Sequence, residues 1–183
     1  MAIARIARIA SLAVLGAVLL AGCSDSSSSD ALTLAETKSP VQLLRNEAAS
    51  RVQESQVEAV LMTQDESTNC RTPETDPDGL SRSWRSVSRL QLVYSTSVEV
   101  SAVVDNLAES FVKQGWDRGT YGTASIIELT REGSETNIHI SFKRADDEAQ
   151  TGAEVQIAVA GPCVMTAGRT SDEVTKLGPV DDK

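Results

Sequence analysis

The chain has 183 residues, with 17 Lys and Arg against 26 Asp and Glu, a formal charge of -9, and only two each of Trp, Tyr and Phe. Such a length fits one domain. An acidic chain with no run of Lys or Arg lacks the electrostatic footprint of phosphate-backbone binding, which argues against nucleic acid as a partner. One His and three Cys leave few soft metal ligands, so no metal and no other cofactor is expected.

Arg5 and Arg8 precede Ile9 to Leu20, a stretch without charge whose one polar side chain is Ser11, the layout of a signal peptide. A membrane-spanning helix needs roughly 20 apolar residues, and this run gives way at Ala21-Gly22-Cys23 to polar sequence. Leu20-Ala21-Gly22-Cys23 resembles the lipobox of bacterial lipoproteins. The resemblance implies a diacylglyceryl group on the thiol of Cys23, cleavage between Gly22 and Cys23, and acylation of the new amine. Each buried methylene contributes about 0.8 kcal/mol, so two or three chains make a permanent anchor. The expected location is the cell membrane, lipid-anchored and facing the extracytoplasmic side. Loss of residues 1–22 leaves 15 basic and 26 acidic side chains, a charge of -11. Anionic headgroups repel such a surface, so the lipid on Cys23 is the expected membrane contact.

Residues 23–38 are rich in Ser and poor in large apolar side chains, and read as a flexible tether. Its fifteen residues after Cys23 reach about 20 Å. A single domain is expected over residues 39–163, followed by an acidic, loosely held tail over 164–183. Ser39-Pro40-Val41-Gln42 reads as a helix start, with Ser as N-cap and Pro at the first helical position. Val41, Leu44, Ala48 and Val52 then share a face, after which Val57, Val60 and Leu61 form a rotated stripe. Thr63 to Arg82 is polar, holds Pro73, Pro77 and Gly79, and reads as a long loop. A strand is expected at Leu90 to Tyr94, starting as early as Trp84.

The second helix, from about Val98 to Gln114, carries Val100, Val103, Val104, Leu107, Phe111 and Val112 along one side. Gly115 followed by Trp116 predicts a Schellman stop in which Trp116 packs on Phe111. Strands follow at Ser125 to Arg131, Thr136 to Arg144 and Ala153 to Ala160, with a hairpin turn at Arg131-Glu132-Gly133-Ser134. Together these elements predict an α+β two-layer sandwich, a four-stranded, mainly antiparallel sheet with two helices on one face. The other face would carry Gln91, Glu128, Thr130, His139, Ser141, Glu154 and Gln156. Of these, Gln91, His139, Ser141 and Gln156 are the candidate binding residues. The element order, with a helix ending in Gly115-Trp116 and a strand ending in Gly161-Pro162-Cys163, resembles a group of small lipoproteins of high-GC Gram-positive bacteria. That resemblance brings no catalytic residue with it.

With Cys23 committed to lipid, Cys70 and Cys163 form an even pair in an oxidising compartment and are expected to be disulfide-bonded. They lack the C-x-x-C spacing of a redox-active pair. Asp76-Pro77-Asp78-Gly79 carries part of a calcium loop, but Trp84 and Arg85 stand where the bidentate Glu is needed, and a turn explains it. His139 on an outward strand position has no Cys or second His to share a metal. Asp146-Asp147-Glu148 reads as a solvated hairpin tip, and Trp84 as a core residue. No G-x-S-x-G, H-E-x-x-H, Walker or G-x-G-x-x-G pattern is present, so no enzymatic activity is expected. The sequence therefore points to a lipid-anchored binding or interaction module. The alternative is an accessory subunit of an envelope assembly or transport complex that docks through the tail or the first helix.

Overall fold

A computed structural model describes residues 31–93, 97–120, 126–143 and 152–181. The chain divides into two units, Met1–Asp30 and Ala31–Lys183, and the second holds every described element. The signal segment, Cys23, Tyr94 and the acidic tip at Asp146, Asp147 and Glu148 lie outside the described residues.

Helix α1 spans Leu34–Ser50 and starts earlier than the Ser39-Pro40 signal indicates. Its N-cap is Thr33, whose hydroxyl accepts from the Glu36 backbone N–H while the Glu36 carboxylate accepts from the Thr33 backbone. This T-x-x-E box satisfies two otherwise unpaired donors. Residues 34–38, expected in the tether, are therefore helical, and Pro40 lies inside the helix, where it deprives the Glu36 carbonyl of its usual donor. Val41, Ala48 and Val52 are buried, and Leu44 packs against the core. A 3-10 turn at Glu54–Gln56 leads into β1, Val57–Asn69. The two ends of the expected long loop are thus strand, and the loop itself narrows to residues 70–80.

Strand β2 spans Ser81–Leu92 and pairs antiparallel with β1. The register skips a residue between Val57 and Ala59 and again between Val60 and Met62, two bulges that tighten the local twist. Helix α2, Ser97–Val112, ends in the expected Schellman stop. The Trp116 N–H donates to the Phe111 carbonyl, the Gly115 N–H to the Val112 carbonyl, and Gly115 takes φ +85°. The Trp116 and Phe111 rings meet edge to face at 5.7 Å. A four-residue strand β3, Asp117–Thr120, precedes the meander β4 (Ile126–Thr130), β5 (Asn137–Lys143) and β6 (Glu154–Ala160).

The sheet is α+β in class and larger than the four strands expected: eight strands run β3-β4-β5-β6-β2-β1-β8, with β7 also paired to β2. All pairs are antiparallel except β1 with β8. Residues 164–181, expected as a tail, supply β7 (Val164–Met165), a short helix α3 (Asp172–Thr175) and β8 (Val180–Asp181). Val164 and Val174 are buried in the core, and the Ser67 N–H donates to the Pro179 carbonyl. Trp84, Leu90 and Leu92 of β2, Ile138 and Ile140 of β5, and Val155, Ile157 and Val159 of β6 join the buried side chains of α1 and α2 in one core. Arg51 at the end of α1 ties the helices together, donating to the Ser110 carbonyl and stacking 3.9 Å from the Phe111 ring centroid.

Candidate functional site: the polar sheet face

Cys70 and Cys163 are joined by a disulfide, with Cα atoms 6.0 Å apart. Cys70 follows β1 and Cys163 follows β6, so the bridge closes the end of the sheet where the loop at 70–80 meets the segment entering β7. That loop is fixed from inside by Asp76, whose carboxylate accepts from the Leu80 N–H at 2.9 Å and the Ser81 N–H at 2.8 Å. Gly79 takes φ +62°, and a Cβ there would meet Arg82 and Asn69 atoms at 3.0 Å. The Asp76-Pro77-Asp78-Gly79 segment is a turn whose first carboxylate is spent on backbone.

The backbone N–H groups of Ser81 and Leu80, with smaller help from the Arg71 and Arg82 charges, hold the Asp76 carboxyl below the usual aspartate range. A depressed carboxyl stabilises the fold fully above the unfolded aspartate pKa and loses that contribution as pH falls through the folded value. Asp76→Asn is therefore expected to flatten the acid limb of stability. Urea midpoints measured along a descending pH series would fall less steeply in the variant than in the parent. Identical slopes would mean that the carboxylate is not held this way.

Register sets the residues of the polar face in cross-strand rows. Glu66, Arg85, Ala160 and Asn137 form one row, and Gln64, Val87, Ala158, His139 and Glu128 the next. Arg89, Gln156, Ser141 and Ile126 follow, then Gln91, Glu154 and Lys143. Thr130 lies further along β4, opposite Asp117. Opposite charges meet across strands at three places on this face. Arg85 Nη1 donates to Glu66 Oε1 at 2.7 Å, Arg89 Nη2 to Glu154 Oε2 at 2.6 Å, and His139 Nε2 lies 3.2 Å from Glu128 Oε1. Exposed pairs of this sort contribute little to stability. Glu66 differs, because its side chain is only 5% exposed and needs its cation.

Along β6 the side chains on this face shrink from Glu154 and Gln156 to Ala158 and Ala160. The flanking strands β2 and β5 lie two strand spacings apart, about 9–10 Å. The result is a hollow of about 700 Å³ lined by Thr68, Asn69, Ser83, Arg85, Glu135, Asn137, His139, Ala160, Gly161 and both half-cystines. A second hollow of about 380 Å³ lies beyond Arg85, between Gln64, Glu66, Gln156 and Val180. Both volumes fall in the range of small-ligand sites.

The candidate binding residues share the face but not one hollow. His139 lines the larger one, Gln156 lines the smaller, and Ser141 meets Gln156 across β5 and β6. Gln91 stands apart, donating to Glu58 at 3.0 Å. Sequence reading missed Ser83, Arg85, Glu135 and Asn137. One signal was present: the outward positions of Glu154-Val155-Gln156-Ile157-Ala158-Val159-Ala160 change from long polar to Ala, which on a solvated face marks the floor of a depression. Trp84 is fully buried, with Lys38 Nζ 4.7 Å from its ring centroid, and belongs to the core.

Among the described residues no three His, Cys, Asp or Glu side chains gather as metal ligands, and no helix is long and apolar enough to cross a membrane. No family model, curated protein or solved structure matches this chain.

Proposed function

We propose that this protein is a lipid-anchored, extracytoplasmic binding module of the bacterial envelope, without catalysis. In this reading Cys23 carries the lipid, helices α1 and α2 cover the apolar side of the sheet, and the polar side is free to meet a ligand or partner. The observation that carries the binding role is the hollow of about 700 Å³ on that face. A solvated sheet with no task would fill the position of Ala160 with a long polar side chain, as β6 does at Glu154 and Gln156. The lipobox-like Leu20-Ala21-Gly22-Cys23 supports the anchor. The Cys70–Cys163 disulfide suits a compartment where thiols are oxidised.

Two measurements test the two halves. Growth with an alkyne-tagged palmitate is expected to label the parent and not Cys23→Ser, and intact mass should show a chain that begins at Cys23. Label retained by the variant would remove the anchor. A photo-crosslinking residue at Ser141 should capture a ligand or partner in cells, while one at Leu43, exposed on α1, should not. Equal or absent capture at both positions would remove the binding face.

A further inference from the structure

The hollow over β6 has two unlike walls, and their chemistry narrows what it holds. On the β1 and β2 side stands Arg85, whose guanidinium carries five N–H donors and gives one of them to Glu66. Its side chain is 34% exposed. Beside it lie the hydroxyls of Thr68 and Ser83, 3.2 Å apart. A planar guanidinium flanked by hydroxyls is matched to a carboxylate. On the β5 side, the segment entering the strand presents Glu135, an exposed carboxylate that only accepts. The floor between them is Ala160 and Gly161, low enough for a backbone to lie close. Among the described residues no Phe, Tyr or Trp ring lines the hollow.

We propose that this hollow binds a short peptide with both ends free, lying wall to wall with its carboxylate on Arg85 and its ammonium toward Glu135. The inference rests on the reading of the polar face as the binding surface, and adds the ligand class. The span fits a short peptide: β2 and β5 stand about 9–10 Å apart, Glu135 lies two residues before the Asn137 that shares a row with Ala160 and Arg85, and an extended chain covers about 3.3–3.6 Å per residue, so three or four residues running obliquely bridge them. A zwitterionic ligand also answers the electrostatics. Its two charges meet opposite charges on opposite walls, and its zero net charge avoids repulsion from an acidic protein.

The test uses the full lipidated chain in detergent micelles, with alanine methyl groups labelled for NMR and tri-alanine as the probe. Tri-alanine is expected to shift the methyl of Ala160, on the floor of the hollow, saturably. Amidation of its carboxylate should weaken binding about tenfold or more, the scale of one charge-assisted hydrogen bond. Arg85→Gln should abolish that preference. Glu135→Gln, at an exposed position that leaves the Glu66 pair intact, should equalise tri-alanine and its N-acetyl form. Free alanine, too short to span the walls, should bind at least about tenfold more weakly. An unmoved Ala160 methyl at millimolar tri-alanine, or equal binding of the amidated peptide, would overturn the proposal. If crosslinking from Ser141 still captured a partner, the binding face would stand and only the peptide would fall.

Discussion

Reducing the Cys70–Cys163 disulfide is expected to destabilise the folded chain by about 2–5 kcal/mol. The bridge spans 93 residues of sequence, and a loop of that length places the chain-entropy contribution at the upper end of the range. For a domain of this size the change corresponds to a fall in Tm of roughly 5–15 °C. Urea unfolding followed by tryptophan fluorescence, with and without reductant, measures it directly. The double variant Cys70→Ser, Cys163→Ser should superpose on the reduced parent. Coincident midpoints for the oxidised and reduced proteins would mean that the bridge restrains nothing the rest of the fold does not already restrain.

The second large effect is expected from Phe111→Ala, at about 3–5 kcal/mol. Phe111 is fully buried, meets Trp116 edge to face, and supports the Arg51 guanidinium 3.9 Å from its ring centroid. Its removal leaves a cavity at the point where α1, α2 and the Schellman stop converge. The backbone bonds of the stop remain, but the hydrophobic contact that accompanies them is lost. Equilibrium unfolding gives the magnitude, and a red shift of the Trp116 emission in the native baseline locates the damage. Phe111→Leu retains most of the volume and should cost distinctly less. Equal losses for Ala and Leu would show that the aromatic contacts, not the cavity, carry the energy.

The parts of the fold that could be read in the sequence are those whose pattern reflects burial on one side only. Helix α2 and strands β4, β5 and β6 present regular apolar stripes to the core, and each falls within a residue or two of its expected place. Strand β1 was hidden for two physical reasons. Its bulges at Glu58 and Leu61 break the two-residue alternation. Its inward positions Asp65 and Ser67 are polar, because beneath them Arg45 lies 3.8 Å from Asp65 and the Ser86 hydroxyl donates to the same carboxylate. A strand facing a polar cluster looks like a loop. Strand β3 is exposed along its whole length and leaves no apolar trace. The start of α1 was legible in Thr33 and Glu36, but the competing Ser39-Pro40 signal masked it.

The candidate site followed the same logic. The polar face could be read from alternation, so Gln91, His139, Ser141 and Gln156 fall on one side of the sheet. The hollow could not, because it depends on which strands are neighbours. Arg85 and Asn137 flank Ala160 only because β6 lies between β2 and β5, a placement that no local pattern encodes.

That placement also sets the order in which the molecule can assemble. The pairs β1 with β2, β3 with β4, β4 with β5 and β5 with β6 are all between chain neighbours, so each forms by closing a short loop. The seam between β2 and β6 joins Arg85 to Ala160 and must close across about half of the domain, which makes it an entropically expensive step. Cys70 and Cys163 sit astride that seam, one in the hairpin half and one after the meander. Once oxidised, they turn the distant encounter into a local one, so the bridge acts on the folding rate as well as on the final stability.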